Sequence, residues 1–100
     1  MLAPCDRKHM LARMLRNLKV IYMKSRDFER ALRTVELLLL VNPHSGEDLR
    51  DRGLLYSALD CYALAARDLE EYLGRVPGAP EADEVRERIE EMRFKAARLN

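Results

Sequence analysis

The sequence predicts an all-α solenoid of two helix-turn-helix repeats followed by a C-terminal capping helix, five helices in all. Three observations carry that prediction. Apolar residues recur in steps of three and four along five segments, and no segment alternates with period two. Shifting the chain by 34 residues lays Leu15 on Leu49, Arg16 on Arg50, Tyr22 on Tyr56, Ala31 on Ala65, Arg33 on Arg67, Glu36 on Glu70, Leu39 on Leu73 and Pro43 on Pro77. Gly and Pro number only four each in 100 residues, too few for a turn-rich β-sandwich.

Residues 1–9 read as a lead-in or linker and 10–100 as the helical domain. Repeat one covers about 12–45, repeat two about 46–79 and the capping helix about 80–98. Asp6 is placed to cap a first helix running to about Lys24, with the stripe Met10, Leu11, Met14, Leu15, Leu18, Ile21 and Tyr22. Asp27 is the expected N-cap of a second helix, whose stripe is Phe28, Ala31, Leu32, Val35, Leu38 and Leu39. That helix stops near Pro43, because proline cannot continue a helix and restricts the residue before it. The run Leu37 to Leu40 is expected in the core, since a helix between two neighbours is apolar on more than one face.

Ser45-Gly46-Glu47-Asp48 has the form of a capping box and opens a third helix with Leu49, Leu54, Leu55, Tyr56 and Leu59. Asp60 is the expected cap of a fourth, carrying Tyr62, Ala65, Ala66, Leu69, Tyr72 and Leu73. Pro77-Gly78-Ala79-Pro80 ends it, with Pro80 in the first turn of the next helix. The last stripe is Ala82, Val85, Ile89, Met92, Ala96 and Leu99, and Glu84–Arg88 and Glu91–Lys95 are favourable i,i+4 pairs on its other face.

A helical hairpin of this length cannot bury both its faces alone. A second copy and a closing helix complete the core. Ala31 and Ala65 are small where helix backbones would approach, and Tyr22 and Tyr56 are large where the first helix of a hairpin meets its second.

Composition narrows the function. Lys+Arg 18 against Asp+Glu 17 leaves +1, without the basic excess of an electrostatic nucleic-acid binder. The longest apolar run, Leu37 to Val41, falls far short of the roughly 18 residues of a membrane span. No signal-peptide pattern opens the chain, and two isolated cysteines with five methionines favour a reducing, cytoplasmic setting.

Cys5 and Cys61 form neither a Cys-x-x-Cys pair nor a zinc knuckle, and His9 and His44 are too far apart for a zinc spacing. Cys5 and His9 are four apart, the spacing of a nucleophile and base on one helix face, but no orienting Asn or Asp accompanies them. No catalytic residue, metal or cofactor is therefore assigned, and the chain is read as not itself an enzyme.

At this point the residues resemble the tetratricopeptide repeat. Repeat one supplies Leu15, Leu18, Tyr22, Ala31, Val35 and Pro43, and repeat two supplies Leu49, Gly53, Tyr56, Ala65, Leu69 and Pro77. The resemblance covers about residues 12–79, and the fifth helix looks like the family's polar capping helix. Departures stand at Lys19 for a small residue, Arg52 for Leu, and Leu38 and Tyr72 at the late small position. Arg52 therefore calls for an acidic partner, with Asp68 and Asp27 as candidates.

A narrower resemblance lies in Arg13-Met14-Leu15, Asn17-Leu18-Lys19, Tyr22, Arg50-Asp51-Arg52-Gly53-Leu54-Leu55 and Asp68-Leu69-Glu70-x-Tyr72-Leu73. These are similar to the C-terminal half of bacterial SirB-type transglutaminase-like proteins. That resemblance implies a transglutaminase-like domain upstream, holding whatever catalytic residues the family has, and this chain as its accessory C-terminal half.

In tetratricopeptide hairpins the first helix of each pair lines a concave surface. The resemblance thus implies a peptide groove of Arg13, Arg16, Asn17, Val20, Met23, Arg50 and Leu54, with arginines for carboxylates and apolar side chains as the floor. It resembles the carboxylate clamp of chaperone adaptors in part, since Val20 stands where that clamp has Asn. The competing expectation is that the arginines pair internally with Glu47, Asp48 and Asp51. The implied partner is a protein or peptide, an acidic one by the arginine count, or an upstream domain of the same chain. Nucleic acid and membrane are not expected partners, and weak self-association is left open.

Overall fold

The structure, a computed structural model, describes residues 4–99, with side chains from Arg7 onward. Among the described residues it contains five α-helices and no strand: α1 Pro4–Lys24, α2 Phe28–Val41, α3 Gly46–Ala58, α4 Tyr62–Arg75 and α5 Ala82–Arg98. The chain divides into two units, Met1–Ser45 and Gly46–Asn100.

The first unit is the hairpin α1–α2. The chain turns through Arg26, whose φ of 61° is left-handed, and the Asp27 N–H donates back to the Tyr22 carbonyl at 2.9 Å. Asp27 then caps α2 as its residue type predicts, its Oδ1 accepting from the Arg30 N–H at 3.2 Å. Ala31, Thr34, Val35 and Leu38 form the buried stripe of α2, and Leu38 packs with Ala12 and Leu15 of α1. Thr34 is tolerated there because its hydroxyl donates to the Arg30 carbonyl at 2.8 Å.

The second unit repeats this backbone 34 residues on and adds α5. Asp60 takes the left-handed place of Arg26 with φ 62°, and the Cys61 N–H donates to the Tyr56 carbonyl at 2.8 Å. The ends of the second helices match as well: Asn42 N–H donates to Leu38, and Val76 N–H to Tyr72. Its core gathers Leu49, Ala65, Ala66, Leu69 and Tyr72 with Val85, Ile89 and Met92 of α5. Fully burying one such aliphatic side chain is worth roughly 1.5–3 kcal/mol. Gly53 lets α3 lie against α4, since a Cβ there would stand 2.9 Å from Leu69 Cγ. At the equivalent place in repeat one stands Lys19, which is buried, and the residues equivalent to Asp68 and Leu69 are the smaller Thr34 and Val35.

Several expectations are corrected. Asp60 does not cap α4: its left-handed backbone ends the turn, and Cys61 takes the N-cap position without a side-chain bond. Pro80 lies in the turn before α5 rather than in its first helical turn. Of Leu37 to Leu40, Leu38 is buried and Leu39 half-buried, while Leu37 and Leu40 face solvent, since the buried side of α2 is the one that carries Ala31, Thr34, Val35 and Leu38. α1 begins at Pro4, ahead of the expected cap, and of its predicted stripe Leu15 alone is buried, beside Ala12 and Lys19. Leu99 at the end of α5 is exposed.

Candidate functional site

On α1, Arg13, Arg16, Asn17 and Val20 are exposed and Met23 is half-buried. Arg13 and Asn17, one turn apart, line a hollow of about 260 Å³ with Met10 and Met14. Arg16 lies round the helix toward α2, in a hollow of about 400 Å³ with Lys8, His9, Ala12, Val41 and Asn42. The first hairpin thus presents Arg13 and Arg16 to separate hollows. Among the described residues no carboxylate pairs with Arg13 or Arg16. α1 carries six Lys and Arg against a single Asp.

Arg50, the repeat-two equivalent of Arg16, is differently placed. Its Nη2 lies 3.3 Å from Asp51 Oδ1, its Nη1 lies 3.5 Å from Glu81 Oε1, and its guanidinium stands 5.9 Å from the centre of the Tyr72 ring. The Tyr72 hydroxyl donates to Glu81. Partial burial works against the Arg50 charge, but Asp51 and then Tyr72 outweigh it, so its pKa is raised. The hydrogen bond from Tyr72 holds the Glu81 carboxyl below its ordinary pKa, and the same bond pushes the Tyr72 phenol up. Leu54, also named for the groove, is half-buried against the α4–α5 core.

From the sequence Tyr72 is named as a stripe residue and a departure from the repeat but is given no partner, and Glu81 is not named. The one signal was Tyr72 itself, a large residue at a position where the repeat favours a small one. Other departures found their partners: Arg52 grips Asp68 through Nε at 2.7 Å and Nη2 at 3.0 Å. The repeat-signature residues Leu15, Ala31, Leu49, Gly53 and Ala65 are buried, Tyr22 and Tyr56 half-buried, Leu18 exposed, and Pro43 and Pro77 sit in exposed turns.

His9 is exposed, and the side chain of Cys5 lies outside the described residues. Cys61 is an exposed free thiol. Among the described residues no group of three or more His, Cys, Asp and Glu is placed to hold a metal ion, and no helix is long and apolar enough to cross a membrane.

Paired antiparallel helices, a 34-residue backbone period and a closing helix define a helical-repeat interaction module. The chain belongs to the tetratricopeptide repeat family, whose sequence pattern matches residues 18–90. It is 36% identical over 90 residues to UPF0162 protein YchA of Escherichia coli K12, covering 90% of this chain and 34% of that protein. It is 36% identical over 84 residues to protein SirB1 of Salmonella typhimurium, covering 84% of this chain and 31% of that protein. It is 38% identical over 85 residues to a UPF0162 protein of Xylella fastidiosa, covering 85% of this chain and 30% of that protein. The chain therefore spans about a third of the length of these relatives. No solved structure matches it.

Proposed function

We propose that this chain is a non-catalytic docking module that takes an acidic peptide, or an acidic segment of a neighbouring domain, on the arginine-bearing faces of its hairpins. The observation that carries the reading is the contrast between Arg16 and Arg50. The same repeat position is held by Asp51 and Glu81 in the second hairpin and, among the described residues, is without a carboxylate in the first. Arg13 and Arg16 are thus available to a ligand's carboxylates, with Asn17 as a further hydrogen-bonding group and Val20 and Met23 as apolar contacts. In the second hairpin Arg50 is already held by Asp51 and Glu81 and Leu54 is half-buried, so the ligand's charged contacts fall to the first hairpin.

Charge-assisted hydrogen bonds of this kind contribute roughly 1.5–3 kcal/mol. The test is fluorescence anisotropy of a labelled Glu-rich peptide. Arg13→Ala/Arg16→Ala is expected to weaken binding by about tenfold or more, and added salt to weaken the wild type, because both hollows are open to water. Equal affinity for wild type and double variant would refute the reading.

The length of the relatives favours a second form of the same role, in which the acidic segment belongs to a larger polypeptide of the SirB type and the module is its accessory part. The observation behind it is the two-thirds of each relative that this chain does not match. Mixing the chain with the separately produced remainder of such a protein distinguishes the two forms.

A further inference from the structure

α1 also carries an open apolar face, which borders the arginine-bearing one along the hollow of Met10, Arg13, Met14 and Asn17. Met10, Leu11, Met14, Leu18 and Ile21 are exposed by 51, 47, 61, 39 and 57%. At about 100° per residue they fall within one arc of roughly 100°, the width of a helix seam. Apolar side chains scattered singly over a surface need no explanation, but a contiguous stripe marks an interaction surface.

The repeat supplies an internal comparison. The 34-residue equivalents of Met14 and Ile21 are Asp48 and Leu55, which are 2% and 1% exposed. At these two positions the helix is covered in repeat two and open in repeat one.

The surroundings of the stripe are basic. Arg7 falls within its arc, Arg13 and Lys24 run along one edge, and all three are exposed. The excess of cations on α1 is local, because the whole chain is only +1.

We infer that this face of α1 docks an acidic amphipathic helix of a partner polypeptide. The partner's apolar ridge packs along Met10, Met14, Leu18 and Ile21, with the flexible methionines adapting to its shape. Its carboxylates meet Arg7, Arg13 and Lys24. Pairing α1 with α1 of a second copy would set two strongly cationic helices together, which opposes it. A membrane surface fits less well, because the stripe has no Trp or Phe to insert and its arc is narrow.

The test uses a synthetic helical peptide of about 18 residues, five turns, with Leu at i, i+3, i+4 and i+7 and Glu on its flanks. Its affinity is measured by fluorescence anisotropy for wild type, for Met14→Asp/Ile21→Asp, and for Arg16→Ala/Arg50→Ala. The Met14/Ile21 variant is expected to lose about tenfold or more while melting like wild type, since both side chains are exposed. The Arg16/Arg50 variant is expected to lose less affinity for this peptide than the Met14/Ile21 variant, whereas for a Glu-rich peptide without the Leu ridge the order is reversed, which separates this face from the one in the proposed function. A Lys-flanked version of the peptide is expected to bind about tenfold more weakly. Equal binding by wild type and the Met14/Ile21 variant overturns the inference. So does wild-type self-association abolished by the same variant in sedimentation velocity, or tighter binding to vesicles containing anionic lipid than to the peptide.

Discussion

Arg52 and Asp68 form a two-pronged ion pair between α3 and α4, with Nε to Oδ2 at 2.7 Å and Nη2 to Oδ1 at 3.0 Å. The pair is asymmetric in burial. The Asp68 side chain is fully buried, whereas that of Arg52 keeps 23% of its surface in water and stands 6.0 Å from the centre of the Tyr56 ring. Removing the arginine strands a carboxylate in protein, with Arg67 at 3.6 Å as its remaining cation. Arg52→Ala is expected to cost about 3–5 kcal/mol. Asp68→Ala lets the arginine turn to solvent and is expected to cost about 1–2 kcal/mol. Urea denaturation of the two variants reads the difference, and an Asp68→Ala cost equal to or above that of Arg52→Ala would contradict this account.

Gly53 offers a packing test. An added Cβ would stand 2.9 and 3.0 Å from two Leu69 carbons and 3.3 Å from Asp68 Cβ. Gly53→Ala should destabilise by about 1–3 kcal/mol from overpacking, offset in part by the roughly 1 kcal/mol that alanine gains over glycine in a helix. Gly74, where a Cβ would meet nothing within 4 Å, is the control. Gly74→Ala should raise the melting temperature.

The left-handed residues at Arg26 and Asp60 make a matched pair of backbone probes. A β-branched side chain is strongly disfavoured at φ near 60°. Arg26→Val is expected to cost about 1–2 kcal/mol, while Arg26→Gly is expected to fall within about 0.5 kcal/mol of wild type because relief of strain offsets a more flexible unfolded chain. Thermal melts compare them, and a harmless valine would contradict the turn geometry.

Much of this was legible in the sequence, and the reasons differ by element. The 34-residue period was readable because Pro43 and Pro77 fix it independently of the apolar matches, and the backbone hydrogen bonds repeat at the same interval. The α5 stripe was readable because Ala82, Val85, Ile89 and Met92 have one neighbour to meet. On α1 the same periodicity misled, since an apolar stripe records a face to be covered and does not say what covers it. Met14 and Ile21 are therefore open while Leu15 is buried. The Arg50–Asp51 contact was among the expected internal pairs, but the rest of the surroundings of Arg50 was illegible for a different reason. Glu81 is 31 positions away, outside both repeats, and no local pattern links it to Arg50 or Tyr72.

Glu81 also gives the pH dependence. The Tyr72 hydrogen bond, followed by a backbone hydrogen bond and Arg50, lowers its folded-state pKa below the ordinary carboxylate value. A carboxylate shifted down stabilises the folded state above its unfolded pKa, and the contribution disappears as pH falls through the lower folded value. Wild type should therefore melt above Glu81→Gln at neutral pH, with the gap closing as the solution is taken below about pH 4. A gap that stays constant to pH 3 would remove Glu81 from the account.

The central claim is that the arginines of α1 receive an acidic ligand, and amide chemical-shift mapping tests it most directly. Titrating an acidic peptide into labelled protein should move the amides and side-chain resonances of Arg13, Arg16, Asn17 and Val20 in a salt-sensitive manner. The α4–α5 core around Leu69 and Ile89 should stay unperturbed. Shifts confined to α5, or none at saturating peptide, would contradict it.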